Sequence, residues 1–135
     1  MPSNRQLQHW VAAVLKRCKR AEIGLGIRLV GAAESQRLNA RYRGKDGPTN
    51  VLSFPCDLAV PEAAPWLGDV VICAPVVARE ARTQGKNVVN HWAHMVVHGV
   101  LHLLGHDHIR SRQAARMEAL ERRILADLKI PDPYE

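Results

Sequence analysis

Aromatic side chains are scarce in this sequence, at 4% of 135 residues, so Leu, Val, Ile and Ala have to build whatever core the chain makes. The hydrophobic fraction of 47% is enough for one, and the length suits a single domain over residues 1–135. No uninterrupted apolar run approaches the ~20 residues that a membrane-spanning helix needs. Met1 to Arg20 carries scattered charge and no apolar signal core, so secretion is not expected. Paired cysteines are missing too. Cys18, Cys56 and Cys73 are odd in number, widely spaced and without a CxxC pair, and they read as reduced thiols of a cytoplasmic protein. Repeats and low-complexity tracts are also lacking.

Charge of one sign is short in the front third. Residues 1–46 hold ten Lys or Arg against three acids, whereas residues 47–135 hold nine against ten, and the whole chain carries +6. A basic front suggests a polyanion such as RNA as partner. A solvated basic surface with no partner is the competing reading, because net charge bears on non-specific attraction and not on reaction.

Periodicity supplies the elements. Leu7, Trp10, Val11, Val14, Leu15 and Cys18 recur at helical spacing and predict a helix over 6–20, with Lys16, Arg17, Lys19 and Arg20 at its C-terminal end, where cations suit the helix dipole. Leu25, Ile27 and Leu29 alternate as in a strand. Ala33 to Tyr42 reads as a second helix, and Arg43 to Thr49 has turn chemistry. Asn50 to Phe54 suits a short strand, and residues 55–67, with three prolines, suit a surface loop. The run Val70-Val71-Ile72 within 68–73 predicts a central strand. Pro75 fits the first turn of a helix that stops near Gly85. Val88 to Leu104 is the most apolar helical segment, ended by Gly105. Ser111 can cap a last helix over 112–128, whose stripe is Ala115, Met117, Leu120, Ile124, Leu125 and Leu128. The expected fold is α+β: a small mixed sheet packed with about five helices in one domain.

The chemistry concentrates between His98 and His108. His98 and His102 are four apart, so on a helix their rings share one face at roughly 5–6 Å between Cβ atoms. Both can then reach one metal ion. Gly105 lets the chain turn back, and His108 can supply a third ligand. Three protein ligands leave a coordination position open, the mark of a catalytic more than a structural zinc site. Imidazoles suit zinc without excluding nickel, copper or iron. An accidental pair of histidines is the bland alternative, but three unpaired imidazoles beside so apolar a helix are costly to bury. His94, one turn earlier, reads as a hydrogen-bonded core residue, a partner behind the metal ligands or a substrate contact. Asp107 either orients a ligand ring or caps the following turn. His91 and His9 read as surface residues, and His106 as facing solvent.

The spacing HxxxHxxGxxH also occurs in metallopeptidases, which place Glu directly after the first histidine as general base. Here that position is Gly99. Phosphodiester cleavage instead asks for a metal and a cation to stabilise charge on phosphoryl oxygens. Arg43 and Lys45, with Arg41 nearby, are candidates, since the guanidinium fork can grip two phosphate oxygens. A solvated basic loop is the alternative.

With these residues in view, the segment His98-Gly99-Val100-Leu101-His102-Leu103-Leu104-Gly105-His106-Asp107-His108 resembles the YbeY-family signature HGxLHLxGYDH, with His106 in place of an aromatic. Leu38 to Pro55, Leu67 to Cys73, His91 to Val97 and the terminal Asp132-Pro133-Tyr134 are similar to that family as well. The resemblance implies a bacterial, cytoplasmic, zinc-dependent endoribonuclease specific for single strands, with one zinc per chain on His98, His102 and His108 and a functional arginine at Arg43. It implies rRNA processing, notably 16S 3′-end maturation, and ribosome quality control, with the small ribosomal subunit and assembly factors as partners. A non-catalytic assembly factor with a structural zinc and a metallopeptidase are the alternatives. Family chains usually open with a strand before the first helix. Here the helix comes almost at once, so the sheet lacks an edge strand or the start lies upstream.

Overall fold

A computed structural model describes residues 1–20, 24–55, 66–106 and 110–134 of the chain. Within them the elements run α1 (Asn4–Arg17), β1 (Gly24–Val30), α2 (Ala32–Arg43), β2 (Val51–Pro55), β3 (Trp66–Cys73), α3 (Ala74–Thr83), α4 (Val88–Leu103) and α5 (Ser111–Asp127). Five helices and a three-stranded mixed sheet make the expected α+β fold. Most of the loop expected over 55–67 lies outside the described residues.

β3 is the central strand, parallel to β1 and antiparallel to β2. Its run Val70-Val71-Ile72 is buried throughout because both faces are covered. Val70 and Ile72 join the larger core with α1, α4 and α5, whereas Val71 and Cys73 join Val30, Leu52 and Val76 on the other face, packed with Leu38 of α2. Period-two alternation thus splits one apolar run between two cores.

α4 is the axis of the larger core. It is buried from His91 to Val97 and again at Gly99, Val100, Leu101 and Leu103. A helix apolar nearly all round belongs in an interior. Asn87 starts it by accepting from the N–H groups of Val89 at 2.9 Å and Asn90 at 3.2 Å. At Gly99 α4 packs directly on the sheet. A Cβ there would stand 2.6 Å from Val70 Cγ1 and 3.2 Å from Val51 Cγ2. Ser53 of β2 donates to the Gly99 carbonyl at 2.9 Å across the same contact.

Both ends of α1 and the start of α5 differ from expectation, and local hydrogen bonds set them. α1 starts at Asn4 because Ser3 and Gln6 form a reciprocal capping box. It ends at Arg17, with Lys19 at φ 54, so Lys19 and Arg20 lie past its last turn. α5 has Arg110 and not Ser111 as its N-cap: the Arg110 carbonyl accepts from Ala114 N–H at 2.8 Å and closes the first turn. The buried stripe of α5 is Met117, Glu121, Ile124 and Leu125, with Ala115 exposed. A carboxylate therefore sits where an apolar residue is expected. α1 is tied to α5 by Arg17, whose Nε and Nη2 reach Asp127 at 3.0 and 2.7 Å.

Gly99→Ala tests the α4–sheet contact. Overpacking so close an approach costs roughly 1–3 kcal/mol. The expected readout is a lower denaturation midpoint at unchanged slope; wild-type stability would show that β3 and α4 separate freely.

Candidate functional site

Four histidines of α4 stand in file. His91, His94, His98 and His102 follow one another at helical spacing, with ring centroids 6.2, 6.2 and 4.7 Å apart. The file runs from the core to the surface. His91 and His94 are 4% and 8% exposed, whereas His98 and His102 line a cleft of about 760 Å³ together with Tyr42, Arg43, Lys45 and Ser53.

Two carboxylates hold the buried end. Glu80 of α3 meets His91 Nε2 at 3.0 Å and also accepts from Asn50 Nδ2 at 3.1 Å. His91, expected at the surface, is buried: Glu80 partners its Nε2, while its Nδ1 is buried without a hydrogen-bond partner among the described residues. Glu121 of α5 is wholly buried and binds His94 Nε2 at 2.9 Å and His98 Nδ1 at 2.6 Å. The Tyr134 hydroxyl donates a short hydrogen bond to the same carboxylate. Burial alone would push the Glu121 carboxyl up, but the bonds from His94, His98 and Tyr134 outweigh it and hold it at about 2. Burial, and then the bond to Glu121, push the Tyr134 phenol well above its ordinary value, so it stays a donor. An ionised carboxylate only accepts. Glu121 therefore takes a proton-bearing nitrogen from each ring: Nε2–H of His94 and Nδ1–H of His98.

His94 Nε2, His98 Nδ1 and a Glu121 oxygen lie within 4.8 Å of one another, a grouping compatible with a metal ion. As they stand, protons join them: nitrogen–oxygen separations of 2.6 and 2.9 Å are hydrogen bonds, while ligands of one tetrahedral zinc at 2.0–2.1 Å stand roughly 3.3 Å apart. The donor set also fits a cation on the cleft side. Nδ1 of His98 meets Glu121, and His98 and His102 line the same cleft one turn apart. His108 and Asp107 lie outside the described residues.

The cationic side of the cleft is built by α2 and the turn after it. Arg43 is the last residue of α2 and not a loop residue; the helix ends on Gly44 at φ 64. Gly47 follows at φ 91. Two buried polar residues of α2 fasten this turn. Ser35 Oγ donates to the Thr49 carbonyl at 2.9 Å and accepts from Thr49 N–H at 3.0 Å, and Asn39 Nδ2 donates to the Gly47 carbonyl at 2.9 Å. Arg43 and Lys45 are thereby brought to the histidine cleft. Arg41 is not among the residues lining it; its guanidinium packs over the Tyr42 ring, 5.4 Å from the centroid.

Sequence reasoning missed Glu121, Tyr134, Glu80, Ser35 and Asn39. Glu121 had a signal: it interrupts the α5 stripe between Met117 and Ile124, where a lone carboxylate must find donors. Tyr134 was visible only within the terminal Asp132-Pro133-Tyr134 that resembles the family, since nothing local says where that tyrosine folds back.

Comparison with known proteins places the whole chain in one family. The family described as endoribonuclease YbeY matches residues 2–129. A protein named endoribonuclease YbeY from Halorhodospira halophila is 57% identical over 137 residues, covering 99% of this chain and 88% of its own. One of the same name from Stenotrophomonas maltophilia is 57% identical over 140 residues, covering 99% and 85%. The solution structure of TM1509 from Thermotoga maritima superposes with a TM-score of 0.61 at 22% identity, over 96% of this chain and 87% of that one, a likeness of fold.

Ser35→Ala tests the fastening of the basic turn. It removes a buried acceptor and donor from Thr49, so stability falls by about 1–3 kcal/mol. Amide exchange at Thr49 and its neighbours accelerates. Wild-type protection there would mean that the turn is held by other contacts.

Proposed function

The chain belongs to the YbeY family of endoribonucleases, and from that premise we propose that it cuts single-stranded RNA at one zinc ion held by His98, His102 and His108. The observation that carries this reading is the meeting of His98 and His102 with Arg43 and Lys45 around one cleft. Imidazoles and cations around one cleft are what a phosphodiester needs: a Lewis acid site and partners for negative oxygens.

His98, His102 and His108 would hold the zinc ion, which would supply Lewis-acid chemistry at the scissile phosphate. The chain's own residues do the rest. Arg43, at the end of α2, offers a planar fork to two oxygens of the scissile phosphate. Lys45 adds a second positive charge along the strand. The basic residues of the front third draw RNA in, with an affinity that falls as salt rises. The buried Glu121 and the hydroxyl of Tyr134 stand behind His98, and neither residue lines the cleft.

A peptidase reading fares worse on packing as well as on sequence. Its general base would occupy position 99, where even a Cβ would stand 2.6 Å from Val70. The proposed biological setting is the cytoplasm of a bacterium, in maturation of the 16S rRNA 3′ end and in ribosome quality control, with the small ribosomal subunit and assembly factors as partners. No described helix is long and apolar enough to cross a membrane.

Zinc-loaded protein incubated with single-stranded and duplex RNA tests the proposal. His98→Ala should lose bound zinc and cleavage together. Arg43→Ala should keep zinc and lose on the order of 10²-fold or more in turnover. Product ends identify the nucleophile: a 2′,3′-cyclic phosphate means attack by the RNA's own hydroxyl. Tight rRNA binding without cleavage by the loaded wild type would leave a non-catalytic assembly factor as the better reading.

A further inference from the structure

We infer that Glu121 is the positioning residue of this metal centre, fixing His98 as the Nδ1–H tautomer so that Nε2 faces the cleft, and that Tyr134 holds Glu121 in place. The inference rests on the metal reading above and deepens it.

The geometry leaves the carboxylate little freedom. One oxygen of Glu121 takes His98 Nδ1 at 2.6 Å; the other takes His94 Nε2 at 2.9 Å and the Tyr134 hydroxyl. Rotation of the carboxylate would break all three contacts. His98 is thus held from behind in both tautomer and ring angle. Partners of this kind, on the far nitrogen of a ligating histidine, orient the ring and raise its basicity.

Tyr134 reaches Glu121 because the end of the chain is tied down. Asp132 accepts from Tyr134 N–H at 2.8 Å and pairs with Arg122 Nε at 3.0 Å. The Arg122 guanidinium lies 5.2 Å from the Tyr134 ring centroid. Lys86 Nζ donates to the Pro133 carbonyl at 2.8 Å. The terminal Asp-Pro-Tyr is therefore a clasp on α5, and its hydroxyl completes the shell of the carboxylate behind the metal face.

Glu121→Gln is the informative variant. The side chain keeps its shape, but an amide has one acceptor oxygen and a donating nitrogen. It satisfies His98 and then turns a donor toward His94 and Tyr134, or the reverse. The apo fold, checked by circular dichroism, should persist while the Zn²⁺ dissociation constant, measured against a chromophoric chelator, rises ~10–100-fold. Tyr134→Phe, which leaves Glu121 in place, should weaken Zn²⁺ by a smaller factor.

Long-range ¹H–¹⁵N spectra of apo wild type provide a readout independent of the metal and of any variant's folding: His98 should be protonated at Nδ1. An Nε2–H tautomer, or unchanged Zn²⁺ affinity in Glu121→Gln, overturns the inference. So does complete loss of Zn²⁺ in both Glu121→Gln and His94→Gln with retention in His102→Ala, because Glu121 would then be a ligand itself. Zn²⁺ binding that survives in His98→Ala sinks the metal reading separately.

Discussion

A buried carboxylate must be matched by donors or it will not stay charged, and the satisfaction of Glu121 organises much of this molecule. Three elements converge to provide it. α4 brings His94 and His98, α5 brings the carboxylate, and the terminal Asp-Pro-Tyr brings a hydroxyl. The match sets the spacing of α4 and α5 at that level, selects a tautomer for each ring and ties the chain end to the site. Glu80 does the same one turn earlier, joining His91 of α4 to Asn50 at the start of β2. The histidine file thus stands on two carboxylates supplied by the neighbouring helices.

Close packing decides which chemistry the file can serve. α4 rests on β3 and β2 at Gly99, where there is no room for a side chain. The absence of a base at that position is therefore a consequence of how helix and sheet meet. The same approach lets Ser53 reach the Gly99 carbonyl and puts β2 along the wall of the cleft. Basic residues line the same cleft because α2 ends on a left-handed glycine and its buried Ser35 and Asn39 hold the following turn. Two separate devices, a tight helix–sheet contact and a fastened turn, bring imidazoles and guanidinium to one cavity.

Element types followed from periodicity alone. The apolar run of β3, the stripe of α1 and the all-round apolarity of α4 each name their element, and they placed β3 at the centre of the sheet. His98 and His102 were legible because helical spacing fixes where two residues four apart must point. The ends were less legible. Ser3 and Gln6 started α1 early, and Arg110 displaced Ser111 as the cap of α5, because caps depend on a few hydrogen bonds that several neighbouring residues can make.

What the sequence determined by itself is therefore local: the fold class, the histidine face of one helix, and a cationic segment ahead of β2. Tertiary structure decided which distant groups meet. It placed Glu121 behind His98 and His94, buried His91 against Glu80, carried Arg43 and Lys45 to the cleft and left Arg41 stacked on Tyr42. The physical reason is that helical and strand periods repeat over a few residues, whereas a hydrogen bond between residues 98 and 121 exists only once two helices have packed.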